Sequence, residues 1–224
     1  MQTFSKRSER LSASLGEEKE RTSNTNKKGE DMLVIFTSYT PGAGKSYMMI
    51  EKAMEEKAKG KKVLVGFLHE GHRDIKDILI KNGIEEKDIP QKGLSLAQIK
   101  AENPDIVILD EMGMKVKNRG FVYNIIDKLL DYGITVYTSV NLKRFDSANP
   151  RFKDVTGISI KNTVPHKYLE KADKIYFIDR DSELMIKDFE AGKLFGDKYM
   201  NSKIMQKNFK KETLDSYRQV SIKY

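Results

Sequence analysis

The stretch MLVIFTSYTPGAGKSYMM, residues 32–49, decides how the rest of the chain is read. A short apolar run rich in β-formers is followed by the turn-rich SYTPGAGKS. Apolar residues then return at helical spacing (Tyr47, Ile50, Met54) until Gly60 closes the pattern. That order is strand, loop, helix. A glycine-rich loop in this position is the setting a phosphate-binding loop requires, because backbone N–H groups and the positive end of the helix converge on one point. The expected nucleotide-binding residues are Pro41, Gly42, Ala43, Gly44, Lys45, Ser46 and Tyr47, with Pro41 opening the loop. Gly42 and Gly44, flanking Ala43, let the backbone turn its N–H groups toward a β-phosphate. Lys45 reaches β and γ oxygens, the Ser46 hydroxyl suits Mg²⁺, and Tyr47 begins the helix. The full pattern G-x-x-x-x-G-K-[ST] asks for glycine at position 39, where this chain has Tyr39. A glycine-rich turn that merely caps a helix would need neither Lys45 nor Ser46.

Working outward, the same alternation recurs. VLVGFL (63–68) precedes a helix with Ile75, Ile78 and Leu79 on one face, ended by Gly83. DIVILDE (105–111) precedes a helix carrying Val122, Ile125, Ile126, Leu129 and Leu130, ended by Gly133. ITVYTSV (134–140) and KIYFID (174–179) supply two more strands. Strands alternating with helices predict a parallel sheet, since parallel neighbours need crossover connections. The expected fold is α/β and P-loop NTPase-like, with about five parallel strands, helices on both faces and the strand order left open. Residues 1–30, rich in Ser, Thr, Asn, Lys and Glu, show no apolar period and read as a disordered tail ahead of a single domain over 31–224.

Asp110 and Glu111 close an apolar strand, at the edge where an open parallel sheet meets its ligand. They match an acidic pair in which Asp110 holds the metal and Glu111 orients or deprotonates an attacking water. A solvated acidic turn is the bland alternative. Thr138 and Asn141 end the next strand as candidates for sensing a γ-phosphate, with a simple turn as the rival reading. His69, Glu70, His72 and Arg73 follow the second strand and read as a solvated turn. Arg119 and Arg144 read as surface ion-pairing residues, with charge stabilisation at the site as the alternative.

Composition bounds the remaining classes. With 38% hydrophobic and 33% charged residues the chain is globular in type. It has no cysteine and three histidines, which excludes disulfides and thiolate metal sites and leaves little for zinc. No apolar run reaches the roughly 18 residues of a spanning helix, and the N-terminus lacks a secretory apolar core, so a cytoplasmic location is expected. The net charge of +8 is concentrated late, with seven basic against three acidic residues between Asp197 and Tyr224. A solvated surface accounts for this. A nucleic-acid-linked ATPase, using Phe209 and Tyr217 as stacking residues, is the weaker reading.

The order of MLVIFTSYTPGAGKSYMM, KKVLVGFL, DIVILDE, YGITVYTSVN, TGISIKNTVPHKYLEKADKIYFID and EAGKLF resembles the N-terminal domain of KdpD sensor proteins from residue 32 to about 218. The GKSYMM continuation, the TVP, the ADKIYFID strand and the AGKLF segment are the discriminating parts. The family pattern GxxPGVGKT is here changed at Ser38 and Tyr39, and the family loop after the acidic pair is replaced by the shorter MGMKVKNRG. The resemblance implies a regulatory ATP-binding module with ATP and Mg²⁺ as cofactors. Gly42, Gly44, Lys45 and Ser46 would lie on the nucleotide and Asp110 on the metal. A protein partner in potassium or osmotic two-component signalling is implied. This length leaves no room for a histidine-kinase core, so the module is expected to act apart from one, as a binding regulator with at most slow ATPase activity. A free-standing P-loop ATPase or phosphotransferase is the enzyme alternative, and a degenerate loop that binds no nucleotide is the third.

Overall fold

A computed structural model describes residues 31–69, 73–85, 93–116, 120–158, 160–195 and 203–224. The tail expected over residues 1–30 lies outside them. Five strands form one parallel sheet: β1 (Leu33–Ser38), β2 (Val63–Phe67), β3 (Ile106–Leu109), β6 (Thr135–Asn141) and β7 (Lys174–Phe177), in the order β2-β3-β6-β1-β7. These are the five apolar runs read from the sequence. β1 is buried along its whole length and sits between β6 and β7. Such burial on both faces is why it reads as a continuous apolar run and not as an alternating one.

The order has one consequence for the site. β6 lies between β1 and β3, pairing Ser38 with Asn141 on one side and Leu109 with Thr138 on the other. The C-terminal end of β6 is therefore held between the loop that leaves β1 and the acidic pair that follows β3.

Helix α1 (Lys45–Ala58) crosses from β1 toward β2 and buries Met49, Ile50, Ala53 and Met54, while Tyr47 stays partly exposed. α2 (Arg73–Lys81) and α3 (Leu96–Glu102) follow β2. α3 begins in a capping box in which the Ser95 hydroxyl accepts from the Gln98 N–H and the Gln98 side chain accepts from the Ser95 N–H. At the replaced loop MGMKVKNRG, β4 (Lys115–Val116) pairs antiparallel with β5 (Gly120–Phe121). The helix expected over 122–130 starts as a 3-10 turn, Val122–Ile125, and becomes α4 at Ile126–Asp131.

α5 (Asn149–Thr156), α6 (Lys167–Lys171), α7 (Ser182–Glu190), α8 (Lys203–Asn208) and α9 (Lys211–Lys223) complete the described chain. α9 packs on α5 and α7. Its Tyr217 is fully buried against Phe152 and donates to Asn208 Oδ1 at 2.8 Å. Arg218 forks onto Asp179, just beyond β7, through Nε and Nη2 at 2.6 and 2.7 Å. Phe209 is buried too, stacked on Phe189. Phe209 and Tyr217, the two residues suggested for stacking on bases, are core, and neither ring is available to a nucleic acid.

Candidate functional site

The loop over residues 40–46 turns through two left-handed glycines, Gly42 (φ +80°) and Gly44 (φ +107°), and runs directly into α1. Only glycine takes such angles without strain. A Cβ on Gly42 would also stand 3.2 Å from both Leu194 Cδ1 and Phe195 Cζ, so the AGKLF segment covers this turn. Tyr39, where the pattern asks for glycine, has ordinary negative φ, so the backbone here does not require glycine. Its ring is fully buried and its hydroxyl donates to the Arg180 carbonyl, which ties the loop entry to the end of β7.

Lys45 and Ser46 sit at the start of α1 with their side chains buried. Ser46 Oγ donates to Asp110 Oδ1 at 2.8 Å, joining the loop after β1 to the acid after β3. Lys45 Nζ donates to Asn141 Oδ1 at 2.9 Å and lies 3.5 Å from the Thr40 carbonyl. Burial lowers the proton affinity of Lys45; Glu111 and Asp110 oppose that shift, and Arg144 adds to it. Thr40 Oγ1 is buried with no hydrogen-bond partner. The loop thus holds a buried ammonium and an unsatisfied hydroxyl close together.

Asp110 is almost fully buried. Besides Ser46, it accepts from Ser139 Oγ at 2.5 Å and from the His69 N–H at 3.3 Å. Three donors from three elements fix the carboxylate. Glu111 takes a left-handed φ of +50°, an uncommon conformation for a residue with a side chain. Its N–H donates to Ser139 Oγ at 3.1 Å, and its Oε1 lies 3.0 Å from Arg144 Nε. That contact is an ion pair without hydrogen-bond alignment, which leaves the buried Oε1 without a hydrogen bond.

The expected residues divide clearly. Lys45, Ser46, Asp110, Glu111 and Asn141 converge on one sheet edge. Thr138 does not join them, since its hydroxyl donates to the Leu109 carbonyl at 2.6 Å inside the sheet. Strand geometry explains the difference: side chains alternate, so Asn141 shares a face with Ser139 and not with Thr138. Ser139, which links both acidic residues, was legible from that alternation and was missed. Arg144 belongs to the site, paired with Glu111. Also unforeseen is Lys143, one residue earlier, with its side chain buried and its Nζ 4.2 Å from the centre of the Tyr217 ring. His69 lies beside Asp110 through its backbone. Glu70, His72 and Arg119, together with the Arg73 side chain, lie outside the described residues. No cluster of three or more metal-ligating residues occurs among the described residues, which bears on protein-only metal cages and not on a metal shared with phosphate.

The model of the family described as the osmosensitive K+ channel His kinase sensor domain, KdpD, matches residues 29–224. The chain belongs to the KdpD sensor-domain family. Among named relatives, the sensor protein KdpD of Clostridium acetobutylicum is 28% identical over 207 residues, covering 88% of this chain and 23% of the relative. A putative sensor protein KdpD of Synechocystis sp. is 26% identical, covering 84% of this chain and 54% of the relative. The sensor protein KdpD of Escherichia coli is 26% identical over 178 residues, 73% of this chain and 19% of the relative. The chain therefore spans between about a fifth and about a half of the KdpD proteins it resembles. No helix among the described residues is long and apolar enough to cross a membrane.

Proposed function

We propose that this chain binds Mg·ATP at the 40–46 loop and reports its nucleotide state to a protein partner in potassium or osmotic two-component signalling, on the cytoplasmic side of the membrane. The observation that carries the proposal is the pair of contacts Ser46 Oγ to Asp110 Oδ1, 2.8 Å, and Lys45 Nζ to Asn141 Oδ1, 2.9 Å. A hydroxyl at the start of α1 and a carboxylate just beyond β3 meet beside a glycine turn. Beside them a buried lysine rests on an amide it can exchange for phosphate oxygens.

The residues at this site fit both the metal and the nucleotide. Ser46 and Asp110 offer the hard oxygens that Mg²⁺ prefers, with the remaining positions left for phosphate and water. The metal, when bound, would neutralise phosphate charge. The N–H groups from Gly42 to Ser46 would cradle phosphate, with Lys45 as counter-charge and the Thr40 hydroxyl finding a partner. Asn141, released by Lys45, would read the γ-phosphate, and Ser139 would hold Asp110 in place.

Glu111 is the candidate for orienting water. Its ion pair with Arg144 holds the carboxylate in place, so turnover should be slow and the domain should act as a binding regulator. Calorimetric titration of ATP with Mg²⁺ into wild type and Lys45→Ala, with turnover followed on the same samples, tests this. Lysine-dependent binding with little turnover is expected. Equal affinity in the two proteins would sink the loop assignment, whereas brisk turnover would favour the free-standing ATPase reading.

A further inference from the structure

Lys143 occupies the 3-10 turn Leu142–Arg144, two residues beyond the end of β6 and on the same sheet edge as the 40–46 loop. Its side chain is 94% removed from solvent, at 6% relative exposure. A lysine buried this deeply normally meets a carboxylate. Among the described residues Lys143 forms no ion pair; the ring face of Tyr217 at 4.2 Å is its partner. Its neighbours make the position less favourable still. Lys45 and Arg144 add positive potential, and Glu111 alone opposes it while already paired with Arg144. Asp110 is occupied by Ser46 and Ser139. Three basic side chains thus crowd an edge with two engaged carboxylates, and among the described residues no further carboxylate stands against Lys143.

We infer that Lys143 is a second phosphate-reading residue of the site, held for the terminal phosphate of a nucleoside triphosphate, and that its seat on Tyr217 links that phosphate to helix α9. This rests on the ATP-binding reading above. The chemistry required is an anion carrying more charge than a diphosphate at this edge. A ligand ending at the β-phosphate would satisfy Lys45 and leave Lys143 on the ring. A γ-phosphate would draw its ammonium away from Tyr217. α9 would feel the change directly, because Tyr217 is a residue of α9 packed in the core against Phe152 of α5, and its neighbour Arg218 is forked onto Asp179. The nucleotide state would then reach the helix through one side chain.

The test compares wild type, Lys143→Met, Lys143→Arg and Lys45→Ala for binding of Mg·ATP and Mg·ADP, with hydrogen exchange of the α9 backbone followed in each nucleotide state. In wild type, ATP should change α9 exchange and ADP should not. Lys143→Met, which keeps the unbranched apolar stem and removes the charged tip, should lose roughly tenfold in ATP affinity with little change for ADP. It should also lose the α9 response. Lys143→Arg should restore the preference for ATP, an outcome that a purely packing role would not produce. An unchanged ATP:ADP ratio in Lys143→Met, or equal loss for both nucleotides, overturns the inference while Lys45-dependent binding leaves the function intact. Failure of wild type to bind either nucleotide, or full binding by Lys45→Ala, removes the ATP-binding reading and this inference with it.

Discussion

Replacing Lys143 by methionine should make the nucleotide-free protein more stable near neutral pH, although it deletes a buried contact. Burial, with Lys45 and Arg144 beside it and Glu111 opposing, lowers the Lys143 pKa from 10.5 to about 7 in the folded state. The unfolded chain therefore holds one more proton at this residue between about pH 7 and pH 10.5, and stability must rise with pH across that window. The destabilisation is complete below about pH 7 and is relieved as pH approaches 10.5. Each unit inside the window is worth about 1.4 kcal/mol, so from about pH 7.5 to 9.5 the lysine supplies roughly 2.5 kcal/mol of pH dependence that methionine lacks. The lost cation–π contact, roughly 1 to 2 kcal/mol, offsets part of the gain. Lys45 titrates in the same sense, its folded affinity also lowered by burial, so some slope should persist in the variant. Tyr39, Tyr137, Tyr168 and Tyr217 have raised affinities through burial and act in the opposite sense once unfolded phenols ionise near pH 10, which sets the upper limit of the experiment. Urea unfolding followed by far-ultraviolet circular dichroism suits a chain without tryptophan. With slopes of about 1 to 3 kcal/mol per molar urea, the gap between the two midpoints should narrow by roughly 1 M over the window. A gap that stays constant with pH would refute the reasoning, because it would mean that Lys143 keeps its proton in the folded state.

Other substitutions probe the rest of the edge. Ser139→Ala removes the donor to Asp110 and the acceptor of the Glu111 N–H, and should cost about 1 to 3 kcal/mol in urea unfolding while weakening the Mg²⁺ dependence of ATP binding. Arg144→Gln frees the Glu111 carboxylate and should raise ATP turnover, whereas Glu111→Gln should abolish whatever turnover exists, a loss on the order of 10²-fold. If both variants turn over ATP at the wild-type rate, Glu111 is not the water-orienting group. Gly42→Ala places a methyl group at positive φ and 3.2 Å from Leu194 and Phe195, and should lower the thermal midpoint by several degrees, about 1 to 2 kcal/mol.

The elements legible in the sequence were those whose cause is local. Each sheet strand is a short apolar run ended by turn chemistry, and the glycine loop announces itself by residues that have no purpose in a plain turn. Ser46 and Asp110 could be nominated for one ion because two familiar spacings happened to occur together. What the sequence withheld is the order of the strands, since that depends on which crossover packs over which face. The order is the fact that organises the site. With β6 inserted between β1 and β3, the residues at its C-terminal end become the middle of the edge, and their alternation matters more than their polarity. Ser139 and Asn141 face the loop and Thr138 faces the sheet interior, a distinction that a list of polar residues cannot make but a period of two can. Arg144 could be named as an ion-pairing residue but not given its partner, and Lys143 was hidden for another reason. In the sequence it is one of many basic residues, and a charge count treats it as surface. Only the long-range packing of α9 turns Lys143 into a buried cation, because Tyr217, seventy-four positions away, supplies the wall that closes over it. The same packing buries the aromatic residues that would have suited a nucleic-acid surface. One tertiary contact therefore takes the Tyr217 ring out of the surface and closes it over Lys143 at the sheet edge, the charge on which the proposed reading of a terminal phosphate rests.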